Sequence, residues 1–171
     1  YERDFVSRTL AFYNNELYLR GNNGRLSKID APNSAEKSVH KDWLLLELRE
    51  DWAQDEVFVS GSLLAINFDR FMAGQRDFEV LFTPTDSTSL TGFIWTLNHL
   101  VLNVLDHVKS RLSVLTPGAN GWQHSPFTGA PGMGTVHARA VDSDDSDAVW
   151  LVTTDYLTPT TLALAEIGQA P

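Results

Sequence analysis

The sequence predicts an all-β protein built from repeated antiparallel sheets, with almost no helix. Apolar and polar residues alternate along many short segments, which is typical of strands. Asn, Asp, Gly and Pro residues separate these segments and are typical of turns. A pattern of Asp or Asn, any residue, Leu or Val, any residue and Leu also recurs four times, starting at Asn15, Asp42, Asn98 and Asp147. The repeat indicates that similar sheets follow one another along the chain.

The segment 98–117 shows most clearly what a repeat contains. Residues 100–105 are largely apolar on both faces of a predicted strand, and residues 106–110 supply a polar turn. Residues 111–115 then return as a second strand. A strand that is apolar on both faces must be covered on both sides. The hairpin is therefore predicted to be one sheet in a stack of sheets, as in a propeller or a sandwich.

The spacing of the repeats favours a propeller. Their starts are separated by 27, 56 and 49 residues, and the last two intervals fit a four-stranded blade, for which repeats run about 40 to 50 residues. The first interval is too short, so the first blade is predicted to lack or shorten a strand. The fold predicted is a partial β-propeller of about three to four antiparallel blades, each four-stranded or shortened.

The same alternation of apolar and polar residues predicts where the other strands lie. They are predicted at 8–13, 16–20, 25–29, 37–40, 43–49, 62–68, 78–82, 90–95, 135–141, 148–154 and 161–167. Asn14-Asn15 is predicted as the first turn. The acidic connection 51–60, which carries the apolar residues 57–59, is predicted as a hairpin extension. A single helical turn is predicted from Asp69, as its N-cap, to Gly74. Residues 118–131 are predicted as a loop with at most a short outer strand near Trp122.

Composition and charge exclude several function classes. The net charge is −9, and the 13 basic residues are scattered among 22 acidic ones, so nucleic acid is not an expected partner, because phosphate binding needs a basic surface. No run of 18 apolar residues exists, and no membrane span is predicted. The absence of cysteine excludes disulfides, thiolate metal sites and a Cys nucleophile. The cellular compartment stays open between cytoplasm and periplasm.

Four acids between two predicted strands are the strongest metal candidates, namely Asp142, Asp144, Asp145 and Asp147. An EF-hand loop needs Gly at its sixth position and Glu at its twelfth. This sequence has Asp147 and Thr153 there, which favours a solvated turn over a calcium site.

Other candidate sites also favour structural roles. The five histidines lack the spacing of a zinc site; they are His40, His99, His107, His124 and His137. Four of the five tryptophans are interpreted as blade-packing residues rather than a ligand cage, namely Trp43, Trp95, Trp122 and Trp150. Gly129–Gly134 lacks the Lys and the following helix of a phosphate loop. No catalytic, cofactor-binding or metal-binding residue is predicted, and no cofactor.

Four segments resemble the β-propeller of bacterial prolyl oligopeptidase-family serine peptidases. They are residues 39–49, 61–68, 90–117 and 144–160. The last of these contains an apolar strand, a turn and a Leu-Thr-Pro step. The resemblance extends over most of the chain from Leu10 onward.

The resemblance implies a piece of a seven-bladed propeller that lies over an α/β-hydrolase domain and admits only short peptides to the active site. Catalysis in that family belongs to a Ser, Asp and His of the hydrolase domain and proceeds by acyl transfer. No Gly-x-Ser-x-Gly occurs here, since neither Ser60-Gly61-Ser62 nor Gly132-Met133-Gly134 completes one. Residues 1–171 are therefore expected to be part of a single propeller domain, truncated at both ends and inactive alone, whose partners are the catalytic domain of the full-length chain and a peptide substrate.

A second function remains open, that of a non-enzymatic propeller module that binds a protein or peptide partner through its loops. With either function, three to four blades cannot close a ring, and uncapped terminal repeats leave apolar faces and edge strands exposed. The isolated chain is therefore expected to self-associate or to curl into an open arc.

Overall fold

The computed structural model describes residues 2–128, 134–157 and 159–168. Every strand pairing in these ranges is antiparallel. The strands form four sheets of three or four strands and one separate hairpin. Within the same ranges, no helix has the length and apolar character needed to cross a membrane. The chain divides into two compact units, Tyr1–Thr83 and Pro84–Pro171.

The first unit contains two sheets and the hairpin. The first sheet consists of β1 (Asp4–Ala11), β2 (Asn14–Arg20) and β3 (Leu26–Lys28), in that order. There follow β4 (Glu36–His40), β5 (Trp43–Glu47), β6 (Trp52–Ala53), β7 (Val57–Phe58), β8 (Leu63–Asn67), α1 (Phe68–Met72) and β9 (Glu79–Phe82). The second sheet has the order β4-β5-β8-β9, and β6 and β7 pair with each other.

The second unit contains the other two sheets, each with its strands in sequence order. The third sheet consists of β10 (Thr88–Trp95), β11 (Leu100–Asp106), β12 (Lys109–Gly118) and β13 (Gly121–Pro126). The fourth sheet consists of β14 (Thr135–Ala140), β15 (Ala148–Thr154) and β16 (Thr161–Glu166).

The core of the first unit lies on one face of the second sheet. Leu44 pairs with Ile66 and Leu46 with Leu64, so these four side chains share a face, and all are at most 2% exposed. Burying each such side chain contributes about 1.5–3 kcal/mol. The residues packed on this cluster come from the first sheet, the hairpin and the helix, and include Phe5, Leu17, Leu19, Phe58 and Phe71.

An aromatic group attaches the hairpin to the segment before β9. The ring of Phe78 lies 5.3 Å from that of Trp52 and 5.7 Å from that of Phe58, in edge-to-face geometry. Such pairs contribute about 0.5–1.5 kcal/mol beyond the area that they bury. The predicted hairpin extension is therefore present as β6 and β7 and packs on the core.

The core of the second unit lies between the third and fourth sheets. Val101, Leu112 and Val114 from the third sheet are clustered with Val149 and Leu151 from the fourth. Because Val149 and Leu151 are two residues apart on β15, they point to the same face of the sheet. The intervening Trp150 points to the other face and is 40% exposed.

The repeats correspond to the second strand of each sheet. Asn15 lies at the start of β2, and the repeats at Asp42, Asn98 and Asp147 begin just before or at the turn into β5, β11 and β15. The first sheet has three strands, which confirms that the short first interval reflects a shortened repeat.

Two local predictions were wrong. The first turn is formed by residues 12 and 13 rather than Asn14-Asn15, because Asn14 and Asn15 already pair with Ala11 and Thr9 across a bulge. The helical turn begins two residues earlier than predicted, with Asn67 as its N-cap: its side chain accepts the N–H of Arg70 at 3.1 Å.

The short outer strand predicted near Trp122 is confirmed. It is β13, a six-residue strand that pairs with β12 from Ser113 to Gly118. Gly121 has a φ of 108°, which allows the tight turn between the two strands, since glycine adopts positive φ without steric cost.

Candidate functional site

The acidic turn between β14 and β15 does not bring its four carboxylates together. Asp142 accepts the backbone N–H of Asp144 at 2.9 Å, a local turn contact, and Asp144 and Asp145 are exposed. Asp147 contacts the third sheet instead. Among residues 2–128, 134–157 and 159–168, no three His, Asp or Glu side chains form a group that could hold a metal ion.

Asp147 links the fourth sheet to the turn that precedes β11. Its carboxylate accepts the backbone N–H of Asn98 at 2.8 Å, the side-chain amide of Asn98 at 2.7 Å and the hydroxyl of Thr96 at 2.8 Å. A main-chain bond from Leu97 N to Ser146 O, 3.0 Å long, runs beside them. The side chain of Asp147 is only 17% exposed. The sequence predicted a solvated turn here, and for Asp147 that prediction is wrong.

The environment of Asp147 favours its ionised form. Burial by itself would raise the pKa of this carboxyl, but the hydrogen bonds from Asn98 and Thr96 and the nearby ring of His99 hold the pKa below its ordinary range. His99 Nε2 lies 3.9 Å from Asp147, and its Nδ1 is 2.7 Å from the Thr116 hydroxyl. These residues form a polar link between the third and fourth sheets.

The four tryptophans and the Gly-rich segment considered in the sequence lie apart from the acidic turn. Trp95 and Trp122 pack together at a ring distance of 5.7 Å, and Trp122 is buried. Trp43 is half-buried at the start of β5, whereas Trp150 is 40% exposed and differs from a fully buried blade-packing residue. Most of the Gly-rich segment 129–134 lies outside the described residues.

A cleft of about 150 Å³ opens between the third and fourth sheets, beside β10, β11 and β14. A β-bulge between Leu90 and Gly92 interrupts the pairing of β10 with β11. A Cβ at Gly92 would meet no atom within 4 Å, so a side chain could be added there without a steric clash. Residues that line the cleft include Thr91, Gly92, Ile94, Val101, Asn103 and His137.

Asn103 is held in one orientation beside this cleft. Its amide nitrogen donates to the backbone oxygen of Val136 at 3.1 Å and lies 3.1 Å from Nδ1 of His137. The amide oxygen is then left as a buried acceptor that has no hydrogen-bond partner among the described residues. An unsatisfied buried acceptor costs about 1–3 kcal/mol. The other predicted histidines lie elsewhere: His40 ends β4, His107 occupies the β11–β12 turn beside Asp106, and His124 is exposed on β13.

The outer face of the fourth sheet is apolar and exposed. Trp150 pairs with Leu164, and Val152 with Leu162, so these four side chains share one face of β15 and β16. Leu162 and Leu164 are 65% and 61% exposed. On the opposite face of β15, by contrast, Val149 and Leu151 are buried.

No family model matches the sequence. The protein named uncharacterized peptidase y4nA, from Sinorhizobium fredii, is 30% identical over 174 residues, which are 97% of this chain and 24% of that protein. The one named uncharacterized peptidase RP174, from Rickettsia prowazekii, is 24% identical over 164 residues, which are 91% of this chain and 23% of that protein. The chain thus spans about a quarter of the length of these curated relatives.

Solved structures show the same fold. A post-proline cleaving enzyme from Rickettsia typhi superposes over 98% of this chain and 26% of its own, with a TM-score of 0.82 at 21% identity. This chain therefore has the fold of a segment of that enzyme, a set of antiparallel β-propeller blades. A prolyl endopeptidase analysed for inter-domain dynamics matches 98% of this chain and 23% of its own, with a TM-score of 0.68 at 16% identity. The predicted all-β propeller fold is confirmed, and the four sheets are its blades.

The polar link and the cleft are features that the sequence did not predict. Asp147 and Asn98 were each recognised as the first residue of a repeat, but repeat spacing does not show which side chain reaches the neighbouring blade. A signal was nevertheless present, since both positions carry short side chains that can bond to nearby main-chain groups. Asn103 interrupts an otherwise apolar strand, and a polar residue at such a position indicates a specific contact.

Proposed function

We propose that this chain is the propeller portion of a prolyl oligopeptidase-like serine peptidase, in which it restricts the access of peptides to a catalytic α/β-hydrolase domain elsewhere in the polypeptide. The observation that carries the proposal is the superposition of 98% of the chain on a post-proline cleaving enzyme, with a TM-score of 0.82. Two relatives named peptidases match the same region. Residues 1–171 would then be part of one propeller domain.

The packing supports a selective role because it gives rigid blades. Closely packed cores deform little, and the blade-to-blade contacts in the second unit combine apolar packing with the polar link at Asp147. A substrate that must pass such a structure is selected by its size and flexibility before any chemistry occurs. The chemistry itself, acyl transfer through a Ser nucleophile, would be performed by residues outside this chain.

The first experiment compares cleavage of a short proline-containing chromogenic peptide by the 171-residue chain and by the full-length product of the same gene. We expect cleavage by the full-length polypeptide and none by the 171-residue chain. Cleavage by the 171-residue chain would overturn the assignment of the active site to another domain. Absence of cleavage by both would remove the peptidase proposal.

A second experiment tests access directly in the full-length polypeptide. The ratio of kcat/KM for the short peptide to that for a long unfolded polypeptide measures the size limit. We expect Asp147→Asn to lower this ratio, because it weakens a link between blades, and Asp145→Asn to leave it unchanged. An equal ratio in both variants and the parent would contradict a gating role for this part of the propeller.

A specific observation also favours the second candidate, a non-enzymatic interaction module. Val108 lies in the β11–β12 turn, and Tyr156 and Leu157 lie in the β15–β16 turn, and all three are more than 85% exposed. Both turns follow the second strand of their blade, so each lies at the corresponding end of its blade. Exposed apolar side chains of this kind are typical of contact surfaces. This candidate gains support if the full-length polypeptide cleaves no peptide.

A further inference from the structure

We propose that the free edge of β16 is a pairing site for a second copy of this chain, so that two β16 strands join as an antiparallel pair. The proposal goes beyond the proposed function and does not depend on it. Among the residues that the structure describes, β16 pairs with β15 alone. By its order in the blade β16 corresponds to β12, which carries β13 on its other side. The fourth sheet therefore has an open edge where the third sheet has a further strand.

The first argument is that this edge is unprotected. Proteins prevent edge-to-edge pairing with short strands, charged side chains, proline or bulges. The other edge strands in the described part of the chain each have such a feature: β3, β6 and β7 have two or three residues, β4 and β14 carry Lys37 and Arg139, β13 ends at Pro126, and shifts in register interrupt the pairings of β1, β9 and β10. β16 has six residues, a charge only at Glu166, and a regular pairing with β15.

The second argument is the direction of its main-chain groups. The N–H of Ile167 donates to Asp147 O at 3.1 Å, on the β15 side. Hydrogen-bonded and non-hydrogen-bonded pairs alternate along an antiparallel ladder, so residues 161, 163 and 165 bond to β15. Leu162 and Leu164 therefore each direct an N–H and a C=O away from β15. Five of the six residues of β16 are exposed, which leaves this edge accessible.

The third argument, which identifies the partner as a second copy, is that β16 is complementary to itself. In an antiparallel pair centred on Ala163, Leu162 lies opposite the partner's Leu164, and Thr161 lies opposite the partner's Ala165. Each leucine pair exchanges two main-chain hydrogen bonds, and the two-fold axis repeats that pair. A register centred on Leu164 would instead place Leu162 opposite the partner's Glu166, which would bring a carboxylate against an aliphatic side chain.

The charge of the chain does not oppose this pairing locally. The net charge of −9 repels two copies at long range, but residues 161–165, which form the proposed pair, are all uncharged. The same pairing brings Leu162 of one copy beside the partner's Leu164 on the outer face of the sheet. Because each chain has one β16, the symmetric contact is complete with two copies.

The test is disulfide trapping, which is clean because the chain contains no cysteine. In the proposed register, Ala163 and the partner's Ala163 form a non-hydrogen-bonded pair with Cα atoms about 4.5 Å apart, within the range of a disulfide. Oxidation of Ala163→Cys with diamide should therefore convert most of the 171-residue chain into covalent dimer on a non-reducing gel.

Thr161→Cys is the matched control. Position 161 is also exposed and lies on the same face of β16. Its two copies in the proposed pair are four residues apart along the strands, about 14 Å, which is too far for a disulfide. This variant should stay largely monomeric under the same oxidation. Equal cross-linking of the two variants would show that chance collision rather than the register brings the chains together, and would overturn the proposal.

A second pair of variants tests the main-chain bonds. Leu162→Pro removes an N–H that points away from β15, so the blade keeps its own pairing. Leu162→Ala removes the same side chain and keeps that N–H. Sedimentation velocity should give a dissociation constant at least about tenfold higher for Leu162→Pro than for Leu162→Ala, because half of the intermolecular hydrogen bonds disappear.

Two further outcomes would overturn the proposal. Equal dissociation constants for Leu162→Pro and Leu162→Ala would leave association to the outer apolar face alone. Absence of cross-linking in Ala163→Cys would leave the edge of β16 to another segment of the full-length polypeptide. Peptide cleavage by the full-length polypeptide has no bearing on either result, so this proposal and the proposed function fail separately.

Discussion

The carboxylate of Asp147 accepts the backbone N–H of Asn98 at 2.8 Å, although 49 residues separate them in sequence. Both are first residues of the repeat, and both lie where the first strand of a blade turns into the second. In the first unit the corresponding residue Asn15 also contacts the next blade, because its backbone oxygen accepts from Lys37 Nζ at 3.1 Å. The repeat position therefore connects neighbouring blades in both units, with different partners.

Asp147→Asn is expected to destabilise the protein by about 2 kcal/mol, since net hydrogen bonds to charged groups contribute about 1.5–3 kcal/mol. The amide that replaces one carboxylate oxygen would face the amide of Asn98, so a donor would meet a donor. The measurement is the urea midpoint of the 171-residue chain. Asp145→Asn makes the same charge change at an exposed site of the same turn and should leave the midpoint nearly unchanged. Equal losses in the two variants would contradict the role of the link.

The same link predicts a loss of stability in acid. The pKa of Asp147 in the folded protein is below its ordinary value, so its contribution is present above the unfolded pKa, near pH 4, and is lost as the pH falls through the folded pKa. Stability measured by urea denaturation between pH 6 and pH 3 should therefore decline less steeply in Asp147→Asn than in the parent. Parallel pH profiles for the two proteins would show that the carboxylate does not titrate with folding.

Two glycines of the second unit predict opposite responses to alanine. Gly134 has a φ of 91°, and a Cβ there would lie 2.5 Å from the backbone oxygen of Thr154. Gly134→Ala should cost about 1–3 kcal/mol of folding free energy, because the residue would be held in a strained conformation. Gly92→Ala has open space and no positive φ and should change stability little. Thermal unfolding of both variants checks this, and a tolerated alanine at Gly134 would argue against the close approach of β15.

The sequence predicted the buried strands better than it predicted element boundaries and the contacts between blades. Residues 148–154 were predicted as a strand with the observed bounds, because alternation and flanking turn residues agree there. The N-cap was misplaced, because Asn67 and Asp69 are both good capping residues and only the chain direction after β8 decides between them. The bounds of β13 were not predicted, since its exposed residues carry little apolar pattern. Contacts such as that of Asp147 with Asn98 depend on how blades stack, which a local pattern does not contain.

The outer face of the fourth blade predicts self-association of the 171-residue chain. Trp150, Leu162 and Leu164 form a continuous apolar surface on β15 and β16 and are between 40% and 65% exposed. Burial of such a surface is favourable at roughly 25 cal/mol per Å², so a second copy is expected to cover it at micromolar concentration. Sedimentation velocity over a dilution series should show reversible association.

Leu164→Lys should weaken that association by at least about tenfold, because a charge would be buried at the interface without a partner. Val108→Lys is the matched control: it adds the same charge at an 86% exposed turn position outside the apolar face and should associate like the parent. Equal weakening by both variants would indicate that net charge, rather than this face, governs association. A monomer that persists at all concentrations in the parent would show that the apolar face is tolerated in water, and the expectation would be wrong.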